Sequence, residues 1–173
     1  MKLAILFSLS LVEARGNGCR TGWKTITTND SVRCVKAMEN SQSIGDTSRS
    51  RTWTEAEKDC QGYTDPEGHL AHLVSVHSQE ELNELKTLFG HDDWHYWIGL
   101  RMNCAECPFQ WSDHSPFDFE NWRPGEPNNM DDKEHCVEMD GYGDMGWNDN
   151  KCSDRLSYIC AYYLDGNPIQ PPK

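Results

Sequence analysis

The chain has 173 residues and a formal net charge of −12. That length suits one domain with a real core, and the acidity argues against nucleic acid and anionic membrane surfaces as partners. Its eight cysteines, an even number, point to disulfides formed in an oxidising compartment.

Residues 1–16 read as a secretion signal, with Lys2 at the positive end and an apolar run from Leu3 to Val12 broken only by serines. A membrane-spanning helix would need about twenty apolar residues, so no membrane insertion is expected. The domain itself is expected over 17–164. Asn29-Asp30-Ser31 is an N-glycosylation sequon in a turn between strands. Glu39 to Arg51 is polar and Ser-rich and reads as a surface loop. Trp53 to Tyr63 reads as a helix, because Trp53, Ala56 and Cys60 recur at spacings of three and four. Leu70 to Val76 alternates as a strand does. A second helix begins at Ser78, where Ser78 and Glu81 form a capping box; Leu82, Leu85 and Phe89 then recur before Gly90 ends the element. Tyr96 to Met102 reads as a buried central strand, and Phe109 to Ser112, Cys136 to Met139 and Tyr158 to Tyr162 complete a small antiparallel sheet. Two helices beside such a sheet indicate an α+β fold. The end, 165–173, has prolines and no apolar period and reads as a disordered tail. The chain contains no heptad stalk or internal repeat, so no coiled coil is expected.

Between residues 126 and 149 the sequence concentrates hard-oxygen ligands: Glu126 and Asn128 around Pro127, Glu134, then Asn148-Asp149 after Trp147. Three carboxylates and two amides suit Ca²⁺, which takes about six to eight oxygens at about 2.3–2.6 Å. Mg²⁺ demands tighter octahedral geometry and Zn²⁺ prefers nitrogen or sulfur, so the ligand types rank calcium first.

The motifs Trp111-Ser112-Asp113, Asn121-Trp122, Gly125-Glu126-Pro127-Asn128-Asn129, Cys136-Val137-Glu138 and Trp147-Asn148-Asp149-Asn150-Lys151-Cys152 resemble the C-type lectin-like domain. Gly22-Trp23, Cys34, Trp53 to Cys60, His72 to Val76, Trp97 to Leu100 and Tyr158-Ile159-Cys160 match the same family in the same order, from roughly Cys19 to Tyr162. The resemblance implies a disulfide-stapled fold with a long calcium-binding loop and the pairs Cys60 with Cys160, Cys136 with Cys152 and Cys19 with Cys34. It also implies a cis peptide at Glu126-Pro127, which a tertiary amide makes accessible at about 0.5–1 kcal/mol. In that family Glu-Pro-Asn goes with mannose-type sugars, although some members bind galactose through the same motif by rotating the sugar and stacking it elsewhere. Glu126 with Asn148 is expected to serve one sugar hydroxyl and Glu134 with Asn128 the other, while Asp149 mainly holds the ion. Tyr142 and Met145 are candidates for further sugar contacts, each set against the plainer role of loop filler. Members with a second calcium carry acids where this chain has Asn129 and His135, so a full auxiliary site is not expected; Asp131, Asp132 and Glu106 could improvise one. His135 reads as a surface residue.

Cys104 and Cys107 stand outside the family pattern. Three readings are open: a local disulfide, a link between protomers, and a zinc or redox site, though zinc would need a second ligand pair. Trp94, Trp97, Trp111, Trp122 and Trp147 invite sugar stacking, but most are assigned to the core, with Trp97 in the buried strand and Trp147 supporting the loop from beneath. An enzyme is not expected, because carboxylates bound to calcium are poor general acids. The resulting expectation is a secreted, extracellular, calcium-dependent lectin. It would bind mannose, fucose or GlcNAc on microbial or cell-surface glycans as part of innate defence, as a homo-oligomer. Its rivals are a galactose binder and a lectin-like module for proteins, ice or mineral surfaces.

Overall fold

A computed structural model describes residues 18–28, 31–38, 50–90, 95–104, 106–140 and 143–164. The leader over 1–16, the sequon at Asn29, the loop from Glu39 to residue 49, Trp94, Tyr142 and the tail over 165–173 lie outside the described residues.

The chain opens with a hairpin of β1 (Lys24–Thr27) and β2 (Val32–Met38) and continues into helix α1 (Trp53–Cys60), strand β3 (His72–Leu73) and helix α2 (Gln79–Phe89). Strands β4 (His95–Met102), β5 (Phe109–Trp111), β6 (Cys136–Asp140), β7 (Trp147–Asn150) and β8 (Ser157–Tyr163) follow. The sheet runs β1-β2-β8-β4-β6-β7, with β3 added to β8 and β5 to β4. Among the described strands β4 and β8 alone pair in parallel, Tyr96 opposite Ser157 and Trp97 opposite Tyr158. The α+β expectation holds.

Local chemistry explains where the expected boundaries moved. The Thr52 hydroxyl accepts from the Glu55 N–H at 3.3 Å and Glu55 accepts from the Thr52 N–H at 3.1 Å, a closed capping box that starts α1. Helix α1 stops at Cys60 rather than Tyr63. The next turns tighten, with Gly62 N–H on the Asp59 carbonyl at 3.0 Å and Tyr63 N–H on Cys60 at 2.9 Å. At α2 the expected box is only half made. The Ser78 hydroxyl does accept from the Glu81 N–H at 3.2 Å, but the Glu81 carboxylate accepts instead from the His77 N–H at 2.7 Å and from Arg33 at 3.1 Å. The strand expected over Leu70–Val76 shrinks to two residues. Val74 sends its N–H to Ile159 on β8 and its carbonyl to Gly99 on β4, both at 2.8 Å, so the chain bridges two strands instead of continuing one ladder. Gly99 permits that crossing: a Cβ there would stand 2.7 Å from the Leu73 carbonyl oxygen.

Both helices bury the faces that the periodicity selects. Leu82, Leu85 and Phe89 of α2 join Ile98, Leu100, Val137, Met139 and Trp147 in one cluster. Trp53, Ala56 and Cys60 of α1 join Trp97, Tyr158 and Cys160 in another. Each fully buried large apolar side chain is worth about 1.5–3 kcal/mol relative to exposure. Four disulfides fasten the chain: Cys19–Cys34, Cys60–Cys160 and Cys136–Cys152 at the core, and Cys104–Cys107 within a largely exposed loop. Of the three readings of Cys104 and Cys107 the local disulfide is therefore the one realised, and no cysteine is left free.

Helix α1 is also tied to β3 through Glu57, which accepts from the Leu73 N–H at 2.9 Å and meets His72 Nδ1 at 2.6 Å. Burial alone would lower the His72 imidazole, but the hydrogen bond and charge of Glu57 outweigh it and raise it above its usual value. Burial likewise opposes a lowering of Glu57 that His72 and the Leu73 N–H bring about. A raised histidine contributes stability that is fully present below its unfolded pKa and lost as pH rises through the folded one. The Tm advantage of the wild type over His72→Gln should therefore be largest in mildly acidic solution, above the Glu57 titration, and should shrink as pH rises past neutrality. A gap that widened on the alkaline side would contradict this sign.

Candidate functional site

Strands β6 and β7 form the floor of the site, paired antiparallel with Val137 opposite Asp149 and Glu138 opposite Asn148. Alternation along β7 buries Trp147 and Asp149 and leaves Asn148 and Asn150 half-exposed. Trp147 supports this strand from inside. It is fully buried, and its ring meets those of Trp111 and Trp122 at 5.7 Å and Phe119 at 5.9 Å, all edge-on. Trp97 and Trp111 are core as well, and Trp122 packs half-buried against the cluster that holds Trp111 and Trp147. The Cys136–Cys152 bridge closes the base of the β6–β7 pair.

The loop above is built around Asp149. Its two carboxylate oxygens accept from the Asn128 N–H at 3.0 Å and the Asn129 N–H at 2.7 Å. Gly125, at φ 93°, turns the chain into the cis Glu126-Pro127 peptide. On the far side of that peptide the Asn128 amide nitrogen reaches Glu126 Oε2 at 2.6 Å. Asn129 takes a left-handed conformation, φ 44°, and its side-chain oxygen accepts from the Glu134 N–H at 3.1 Å. The Glu134 carboxylate returns to the Met130 N–H at 3.1 Å. Glu126, Asn128, Glu134 and Asp149 thus share one hydrogen-bonded loop, with Asn148 beside it on β7.

The electrostatics of the loop fit a hard cation. Partial burial, the hydrogen bond to and charge of Asp149, and the charge of Glu134 all push the Glu126 carboxyl above its usual range, against the pull of Arg123. Like charges gathered this closely gain most from a positive ion between them. Among the described residues no three His, Cys, Asp or Glu side chains stand as a metal cluster by themselves, so the set suits calcium only with amide oxygens counted as ligands. It offers no thiolate or imidazole for a softer metal.

Other expected residues fall differently. Met145 is fully buried and positions the loop from within, so it cannot touch a sugar. His135 is half-buried rather than a surface residue, with Nε2 enclosed. Asp131, Asp132 and Glu106 are exposed. Met130, 58% exposed, is the large apolar side chain on the rim.

The sequence reading passed over two residues that hold the site together. Asn129 is one, through its bond to Glu134. Glu138 is the other: it is 4% exposed, and its Oε1 accepts from Asn148 Nδ2 at 3.1 Å, Arg123 Nη2 at 3.2 Å and His95 Nδ1 at 3.1 Å. Burial alone would raise the Glu138 carboxyl, but His95 and the amides of Asn150 and Asn148 outweigh it and hold the group below the usual carboxylate range. The spacing of Glu138 two residues after Cys136, on a strand opposite Asn148 and Asn150, is a signal that requires the strand register to be read.

A family model described as "Lectin C-type domain" matches residues 49–162. A "C-type lectin" of Cerberus rynchops is 34% identical over 169 residues, 94% of this chain and 93% of that one. Among solved structures, the cow C-type carbohydrate-recognition domain of CD23, determined in the presence of a GlcNAc2Man3 oligosaccharide, superposes with a TM-score of 0.66 at 31% identity, covering 85% of this chain and 97% of that one. A calcium-independent type II antifreeze protein superposes with a TM-score of 0.64 at 27% identity, covering 84% and 95%.

Proposed function

The chain belongs to the C-type lectin domain family, and on that basis we propose that it is a secreted, calcium-dependent lectin that binds mannose-type sugars on microbial or cell-surface glycans. One observation carries the reading: Glu126, Asn128, Glu134 and Asp149 crowd into a single loop beside Asn148, with Glu126, Asn128 and Asn148 at a solvent-facing rim and Glu134 and Asp149 buried behind them. Calcium, when bound, supplies open coordination positions that two neighbouring sugar hydroxyls can fill. The chain's own groups then complete each hydroxyl, which donates one proton and accepts another. Glu126 accepts from one hydroxyl while the Asn148 amide donates to it; Glu134 and Asn128 do the same for its neighbour. Asp149, buried and fixed by two backbone N–H groups, holds the ion side of the site. The Glu126-Pro127-Asn128 order supports mannose, fucose or GlcNAc over galactose.

Residues 1–16 carry the export signal in this reading, and among the described residues no helix is long and apolar enough to cross a membrane. The carboxylates serve as ligands, not as an acid and base pair, so the sugar leaves unchanged. A shallow site of this kind binds a monosaccharide at about millimolar strength, about −4 kcal/mol. Several sites on one particle are needed for avidity, so the protein works as a non-covalent homo-oligomer.

The likeness to a calcium-independent antifreeze protein, together with carboxylates already engaged by backbone N–H groups, favours a second reading: a lectin-like module that needs neither calcium nor sugar. Chromatography on immobilised mannose separates the two. Retention in calcium with release by chelator or free mannose is the expected result. Passage through mannose, fucose and galactose columns alike, with and without calcium, would remove the sugar reading.

A further inference from the structure

We propose that Glu138 is a positioning residue for Asn148: its buried carboxylate draws the Asn148 amide nitrogen inward and turns the amide oxygen out to the rim, where a cation ligand must stand. The inference rests on the calcium reading above and deepens it.

Chemistry leaves the amide little choice. An ionised carboxylate only accepts hydrogen bonds, so Asn148 can approach it with nitrogen but not with oxygen. The β6–β7 register sets the two residues directly opposite each other, and the contact is 3.1 Å. One Nδ2 hydrogen is used there, which leaves the second for a sugar hydroxyl and the oxygen for the ion. Oε2 of the same carboxylate accepts from Asn150 Nδ2 at 3.2 Å, which fixes its plane. Arg123 and His95 supply the positive partners that so buried a carboxylate requires, and both also reach Asp140, at 3.1 and 3.6 Å. Arg123 adds a mechanical link. Its backbone N–H donates to the Trp147 carbonyl at 2.9 Å and its carbonyl accepts from the Glu126 N–H at 3.0 Å. One residue therefore joins both ligand-bearing segments to the carboxylate that orients Asn148. Carboxylates that orient metal ligands from behind in this way are typically worth roughly 10–100-fold in metal affinity.

The test reads the amide itself. In the full-length protein without calcium, the two Asn148 side-chain amide protons should lie further apart in the NMR spectrum than those of a free asparagine, with the proton bound to Glu138 slowed in exchange. Glu138→Ala should merge them toward the pattern of a free asparagine and weaken calcium by roughly 10–100-fold in calorimetry. Glu138→Gln can still present an oxygen to Asn148 and should restore most of both, whereas a role in core packing alone would be restored equally by Glu138→Met. Glu138→Met, which fills the volume without an acceptor, stands in should the alanine variant not fold. An Asn148 amide unchanged in Glu138→Ala or Glu138→Met, or calcium affinity within about twofold of wild type in either, would overturn the inference. Absence of calcium binding by the wild type would sink the site reading instead, while the metal-free amide signals would still decide the orientation.

Discussion

Asp149→Ala should abolish retention on immobilised mannose and also destabilise the protein in chelator, where no metal contributes. The two losses have separate causes. As a ligand, Asp149 contributes a fixed carboxylate to the cation side of the site. As a structural group, it is fully buried and receives the Asn128 and Asn129 N–H groups at 3.0 and 2.7 Å. Alanine leaves both donors without a partner, at about 1–3 kcal/mol for each that water does not reach. Asn148→Ala makes a useful contrast, since Asn148 is half-exposed and anchors no backbone group: binding should vanish while Tm in chelator barely moves. Thermal melts in chelator and mannose chromatography in calcium measure the two losses independently. Undiminished retention of Asp149→Ala would refute the proposed site, and an unchanged Tm in chelator would refute its structural half.

That double role shows which parts of the site could be read from residues alone. The ligands of a hard cation announce themselves by type, so Glu126, Asn128, Glu134, Asn148 and Asp149 stand out wherever they lie. The loop's scaffolding does not. Asn129 looks like a failed second-site ligand in the sequence, yet its oxygen positions the Glu134 backbone. Glu138 looks like an ordinary strand residue until β6 is registered against β7, a strand that the polar run Trp147–Asn150 conceals because only Trp147 is apolar. Met145 sits in a polar loop and invites a surface role, but its side chain turns fully into the core. Helices α1 and α2 were legible because their apolar spacing survives burial, whereas their exact ends depended on turn bonds and on Glu81 choosing Arg33 over its own cap. The same distinction separates His72–Leu73 from the longer strand expected there: alternation marks an extended chain, but only tertiary pairing decides how much of it enters a ladder.

Removal of the Cys60–Cys160 bridge by paired alanine substitution should cost about 4–5 kcal/mol of folding stability, the value the chain-entropy model assigns to a closed loop of about a hundred residues. The bridge spans 100 positions and ties helix α1 to strand β8 with both sulfurs buried. The paired removal of Cys104 and Cys107, only 3 positions apart in a largely exposed loop, should cost about 2 kcal/mol or less by the same reckoning. The comparison matters more than either value. In the entropic account the unfolded chain gains freedom in proportion to the logarithm of loop length, so the long bridge must dominate; if lost packing were the main cost, burial would rank the bridges instead. Both accounts set Cys136–Cys152 between the other two, since it spans 16 positions and buries Cys136 but only half of Cys152, so the size of its loss and not its rank is the test. The entropic account sets it near 3 kcal/mol, between the other two. Urea titrations of the three double variants in chelator supply the ranking, with the m-value as a check on the denatured state. Equal losses for the 3-position and 100-position bridges would exclude loop closure as the source of this domain's stability. Losses that follow loop length would mean that the long bridge stabilises the fold as a whole, while the short span at Cys136 holds the local strand pair that carries Glu138, Asn148 and Asp149.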